Sequence, residues 1–104
     1  MKNIVLIGMS GAGKTIVGKY ISKILNKDFI DTDDLIIEIT GKTIDCIFKE
    51  HGEAYFRQLE KDTIKNISSY KNKIISTGGG VVLDRANIHM LRENGIIFYL
   101  SASI

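Results

Sequence analysis

The hydrophobic pattern along the chain switches repeatedly between two rhythms. Asn3 to Ile7 is a continuous apolar run closed by Gly8, which predicts a strand buried on both faces. From Lys14 to Leu25, the residues Ile16, Val17, Tyr20, Ile21, Ile24 and Leu25 recur at helical spacing, predicting one stripe of a helix packed on a sheet. Phe29-Ile30 reads as a second short strand after a turn at Asn26-Lys27-Asp28. Leu35 to Ile39 reads as a helix started by Asp33 or Asp34 and ended by Gly41. Thr43 can cap a short helix through Phe48, closed by Gly52. Glu53 to Ile67 is the longest helical pattern, with Phe56, Leu59 or Glu60, Ile64 and Ile67 in register. Lys73 to Ser76 predicts a third strand. Asp84 can cap a helix running to Asn94 with Gly95 as its C-cap, and Ile96 to Leu100 predicts a fourth strand.

Strands alternating with helices imply right-handed crossovers and a mostly parallel sheet covered on both faces, an α/β fold. The length of 104 residues fits one domain spanning 1–104. Hydrophobic residues make up 44% and charged residues 25%, which disfavours disorder. The apolar run at the N-terminus is too short for a secretory core or a membrane span. The net charge of +2 comes from scattered residues with no like-charged block, so nucleic acid is not an expected partner. The one cysteine, Cys46, excludes an intrachain disulfide and agrees with a cytoplasmic location. Cys46 reads as a small core residue, and Tyr20, Tyr55, Phe56, Phe98 and Tyr99 as packing aromatics. His51 and His89 lack metal-ligand spacing and read as surface or capping residues.

Chemistry concentrates in four places. Gly8-Met9-Ser10-Gly11-Ala12-Gly13-Lys14-Thr15 matches the P-loop pattern in full, between a predicted strand and a predicted helix. Its glycines let successive N–H groups turn toward phosphate oxygens, and the helix N-terminus adds a favourable dipole. Gly11, Ala12, Gly13, Lys14 and Thr15 are therefore expected to bind a nucleoside triphosphate, with the Thr15 hydroxyl on Mg²⁺. Asp31-Thr32-Asp33-Asp34 lies at the C-terminal end of the second strand, where ligands bind in open α/β sheets. One carboxylate there can hold Mg²⁺ through water and another can take or orient a hydroxyl proton. Function is expected for Asp31 and Asp33, and helix capping for Asp34. Gly78-Gly79-Gly80 suits close approach of backbone to a ligand, the weaker alternative being a flexible connection. Arg57 offers a planar fork for a carboxylate or phosphate, but on its own reads as a solvated helix residue.

The order of these segments resembles the shikimate kinase family. The P-loop is followed by Asp31-Thr32-Asp33, by Gly41-Lys42-Thr43-Ile44 with Ile47-Phe48, by Gly52-Glu53 with Phe56-Arg57 and Glu60, and by Gly78-Gly79-Gly80. The resemblance implies phosphoryl transfer from ATP to the 3-hydroxyl of shikimate, in aromatic amino acid biosynthesis. It implies that Lys14 binds phosphate and acts catalytically, and that Thr15 and Asp31 hold Mg²⁺. Asp33 would contact the shikimate hydroxyls and serve as base, Arg57 would pair with the shikimate carboxylate, and Gly79 and Gly80 would contact substrate. It also implies a P-loop kinase-type three-layer α/β/α fold with strand order 2-3-1-4 over this chain. Family members continue past this point into a lid arginine, a second carboxylate-binding arginine, an adenine-contacting loop, a fifth strand and a final helix. The 104-residue chain is therefore expected to bind nucleotide weakly and turn over slowly. Family members are monomers, and strand four is expected to be an uncovered edge open to dimerisation or swapping. The alternatives are a catalytically silent nucleotide-binding module and a kinase for another small anionic metabolite, such as a gluconate-type enzyme.

Overall fold

The computed structural model describes residues 2–8 and 13–100. Strand β1 (Asn3–Ile7) leads into α1 (Lys14–Leu25), then β2 (Phe29–Asp31) and α2 (Thr32–Thr40). Helix α3 (Ile44–Ile67) follows, then β3 (Ile74–Ser76), a 3₁₀ turn at Val81–Leu83, α4 (Arg85–Glu93) and β4 (Gly95–Tyr99). The four strands form one parallel sheet in the order β2-β3-β1-β4, as the family resemblance implies. Among the described residues no helix is long and apolar enough to cross a membrane.

One face of the sheet is sealed. Val5 and Ile7 of β1 and Ile75 of β3 pack against Ile64 and Ile67 of α3, Val81, and Leu91 of α4. Each such side chain contributes about 1.5–3 kcal/mol on burial. On the other face, α1 approaches the sheet closely because residue 18 is glycine. A Cβ there would collide with the Phe29 ring and stand 3.4 Å from Leu6 Cδ1. A separate cluster of Ile36, Ile47 and Phe56 joins α2 to α3, with Ile44, Phe48 and Leu59 around it. Within α3, Gly52 has φ 85° and ψ 174°, so the chain changes direction there and two helical segments meet. The break falls at the glycine expected to separate two helices.

Several expectations need correction. The cap of α2 is Asp31, not Asp33 or Asp34, because β2 runs straight into the helix with no intervening loop. Gly95 opens β4 instead of capping α4, and a Cβ on it would stand 2.7 Å from the Leu91 carbonyl. The inward face of α1 runs through Lys14 and Gly18, so Ile16, Tyr20 and Ile24 are left outside at 77%, 67% and 61% exposure. Among the aromatics expected to pack, only Phe56 is buried; Tyr20, Tyr55, Phe98 and Tyr99 are exposed. Ile96 and Phe98 pair in register with Ile4 and Leu6, on the face that α1 covers elsewhere, and both stay about half exposed. Cys46 is half-buried and not in the core, its Sγ 3.3 Å from Glu50 Oε1.

Candidate functional site

The site lies at the C-terminal ends of β1, β2 and β3, where parallel strands leave ligand room. Met9, Ser10, Gly11 and Ala12 lie outside the described residues, so the expectation that Gly11 and Ala12 bind phosphate is not tested by geometry. Their flanks are described. Gly8 and Gly13 have φ of 146° and 83°, conformations that a side chain would strain. Lys14 is 8% exposed, and its ammonium donates to the Gly8 carbonyl at 2.7 Å. Burial pushes its pKa down, while the Asp33 and Asp31 charges hold it up.

Asp31 has two tasks. Its Oδ1 accepts from the Asp33 N–H at 2.9 Å and the Asp34 N–H at 3.1 Å, capping α2. Its Oδ2 accepts from the Thr15 hydroxyl at 3.2 Å, tying β2 to the first turn of α1. Capping and contact with Thr15 are thus combined in one residue, and Asp34 is left exposed in the first turn.

Asp33 is freed by that division of labour. It is partly buried, and its pKa is raised by burial first and then by Asp31 and Asp34, against the pull of Lys14 and Arg57. A Cβ on Gly78 would come within 2.5 Å of its carboxylate, so the first glycine of the triplet makes room for it. The Gly78 N–H donates to the Thr32 hydroxyl at 2.9 Å, which pins the triplet to α2. Ser76 and Thr77 precede it, and the Thr77 hydroxyl donates to the Leu6 carbonyl at 3.1 Å.

Two cavities meet at this carboxylate. One, of about 300 Å³, is lined by Gly13, Lys14, Thr15, Asp31, Ser76, Thr77 and Gly78. The other, of about 350 Å³, is lined by Ile44, Phe48, Phe56, Arg57, Glu60 and Gly80. Asp33 and Gly79 line both. In the second cavity the Arg57 guanidinium lies 5.4 Å from the Phe56 ring centroid and 5.9 Å from that of Phe48. Its Nη1 bonds Glu60 Oε1 at 3.1 Å, and its Nη2 stands 3.5 Å from Glu53 Oε2. A Cβ on Gly80 would collide with the guanidinium, so the third glycine is what allows Arg57 to lie there.

Every expected site residue within the described part therefore converges on one cleft. Sequence reasoning missed Ser76 and underrated Glu60, which is 1% exposed. Glu60 replaces Leu59 on the buried register of α3; burial raises its pKa against the nearby Arg57. The signal for it was a carboxylate three residues after an arginine on an apolar helix face.

Comparison with known proteins explains this convergence. The family model described as shikimate kinase matches residues 10–104. The chain belongs to the shikimate kinase family. It is 52% identical over 103 residues to the shikimate kinase of Caldicellulosiruptor saccharolyticus, covering 99% of this chain and 60% of that one. It is 48% identical over 104 residues to that of Clostridium botulinum, covering 61% of it. Among solved structures, a shikimate kinase from Acinetobacter baumannii in complex with shikimate superposes with a TM-score of 0.95. It is 38% identical, covering 99% of this chain and 57% of that one. A shikimate kinase from Aquifex aeolicus gives 0.91 at 35% identity, covering 98% and 61%. A gluconokinase from Sinorhizobium meliloti gives 0.56 at 22% identity, a likeness of fold alone. The chain spans about 60% of the length of the curated relatives it matches.

Proposed function

We propose that this chain carries the phosphate- and substrate-binding parts of an ATP-dependent kinase that phosphorylates the 3-hydroxyl of shikimate. It would do so as one cytoplasmic domain in aromatic amino acid biosynthesis. The observation that carries the proposal is the pair Asp33 and Gly79, which line both cavities at once. A reaction that moves a phosphoryl group between two bound molecules needs such a meeting point, since its catalysis is mostly positioning and charge stabilisation.

In this reading the P-loop backbone, with Gly11, Ala12 and Gly13, holds the nucleotide phosphates, and the partly desolvated Lys14 ammonium neutralises their charge. Phosphoryl transfer of this kind uses Mg²⁺, and the side chains present fit it. Mg²⁺ keeps several waters and takes few protein ligands. The Thr15 hydroxyl and the Asp31 carboxylate, already 3.2 Å apart, would hold it and its water. The ion would supply charge neutralisation on the phosphates.

Arg57 would bind the shikimate carboxylate through its planar fork, held in place by Glu60 and by the faces of Phe48 and Phe56. Gly79 and Gly80 would bring backbone N–H groups to the substrate. Asp33 would accept the hydrogen bond of the attacking hydroxyl and take its proton. Its raised pKa makes it a stronger base than an ordinary aspartate, with the Lys14 and Arg57 charges pulling the other way.

The test is a coupled assay of ADP release from ATP and Mg²⁺ with shikimate, beside gluconate, as acceptor. Turnover with shikimate alone supports the proposal. Turnover with gluconate in its place would overturn the substrate assignment. ADP binding with no turnover on either would mark a nucleotide-binding module instead.

A further inference from the structure

The proposed reading leaves one buried polar group without a task. Ser76 is 1% exposed, and its hydroxyl has no hydrogen-bond partner. A hydroxyl in that state costs about 1–3 kcal/mol relative to one that is bonded. An apolar residue would avoid the cost, and β3 otherwise reads Ile74-Ile75. The adjacent Thr77 has its hydroxyl satisfied by the Leu6 carbonyl, so the strand end does not lack acceptors in general.

Its position in the sheet says where the hydroxyl is aimed. Ser76 is in register with Asp31 on β2 and with Leu6 on β1. Partners in a parallel ladder share a face, and Leu6 faces α1 at Gly18. Ser76 therefore lies beneath the N-terminal end of α1, on the side where Asp31 meets Thr15. It lines the same cavity as Lys14, Thr15 and Asp31.

We propose that the Ser76 hydroxyl is an outer-sphere partner of the nucleotide-bound divalent cation, hydrogen-bonded to one of its waters and so completing a site of Thr15, Asp31 and Ser76. This rests on the reading of the cavity as a Mg²⁺–nucleotide site. A hydration partner is what this ion calls for, because Mg²⁺ dehydrates reluctantly and is steered through its waters. Asp31 cannot steer it alone, since one of its oxygens is committed to capping α2.

The experiment is calorimetric titration with ADP, once in excess Mg²⁺ and once in EDTA, for the wild type, Ser76→Ala and Ser76→Thr. The ratio of the two affinities isolates the metal's contribution, and the EDTA value reports the phosphate cradle. Ser76→Ala should leave the EDTA affinity unchanged and lower the ratio roughly ten-fold, in line with outer-shell metal partners elsewhere. Ser76→Thr, which keeps the hydroxyl, should recover most of it. Removing an unpaired hydroxyl should leave the melting temperature level or higher, so the Ala variant remains measurable. An unchanged ratio in Ser76→Ala overturns the assignment. So does an equal fall in both affinities, which marks a merely structural residue. A wild-type affinity indifferent to Mg²⁺ also overturns it while leaving the cradle standing. Failure of the wild type to bind ADP in either condition overturns the nucleotide site itself.

Discussion

The two halves of the cleft are built by different means. One half is centred on a single stretch of chain, the end of β1 at Gly8 and the first turn of α1 from Gly13 to Thr15, with the ends of β2 and β3 at Asp31 and Ser76 beside it. The other half, proposed above to take shikimate, gathers Asp33, Phe48, Phe56, Arg57, Glu60 and Gly80 from three separate segments. Its specificity lies in side chains that hold one another. A local site of the first kind survives packing changes elsewhere, whereas a gathered site depends on the contacts that assemble it.

Asp33 belongs to both halves, so its loss should have the largest effect. Asp33→Asn should lower kcat by roughly 10²–10⁴-fold, the range for a removed general base. Both halves should still bind, so the Michaelis constants should move far less than kcat. The same variant should not cost stability at neutral pH. Burial raises the Asp33 pKa above its ordinary 3.8, so the folded state binds more protons than the unfolded chain just above that value. Stability is thus lost as pH rises through that window, and the Asn variant escapes the loss. Urea unfolding from pH 3 to 8 checks this; a neutral-pH destabilisation would refute it.

Arg57 tests the gathered half by itself. Arg57→Lys keeps the charge but loses the planar fork and its fit between Phe48 and Phe56. The Michaelis constant for shikimate should rise about ten-fold, the equivalent of one lost charge-assisted hydrogen bond, while that for ATP stays level. Equal changes in both constants would show that the halves are not separable.

Glu60 sharpens the comparison through pH. Its carboxylate is buried, and its pKa is raised by that burial in spite of Arg57. Above its ordinary value of 4.5 the folded state therefore binds more protons than the unfolded chain, and stability falls as pH rises through the folded pKa. Glu60→Gln should flatten that part of the stability curve. It should also loosen Arg57 and raise the Michaelis constant for shikimate a few-fold, again sparing ATP. A pH-stability curve unchanged from wild type would sink this account.

The same division explains what could be read from the chain alone. The strand order came with the resemblance to the family, whereas the alternation of strands and helices and the turn at Gly52 were legible because each is a local pattern with a local cause. Gly41 and Thr43 announced helix ends for the same reason, and both have those roles. The errors came where a residue's surroundings are supplied from far along the chain. The apolar stripe of α1 reads as wholly inward, yet the sheet meets the helix through Lys14 and Gly18. Capping was expected of Asp33 or Asp34, and the absence of a loop after β2 gives the task to Asp31 instead. The periodicity left the buried register open between Leu59 and Glu60, and the packing around Arg57 is what buries Glu60.

The smallest predicted effect separates the halves most cleanly, because one kind of substitution should fail for two reasons. Gly13 has φ 83° and ψ 18°, and a Cβ on it would meet nothing within 4 Å. Gly13→Ala thus has room but the wrong backbone, and should cost about 1 kcal/mol through left-handed strain. That strain acts on the phosphate cradle, so the ATP constant should rise a few-fold. Gly80 has φ −86° and ψ −6°, which any residue adopts, but a Cβ there meets the Arg57 guanidinium. Gly80→Ala has the right backbone and no room. It should displace Arg57 and raise the shikimate constant a few-fold, with ATP unaffected. Melting curves and paired kinetics on the two variants decide the matter, and matching profiles from both would mean that one common strain, not two independent constructions, governs the cleft.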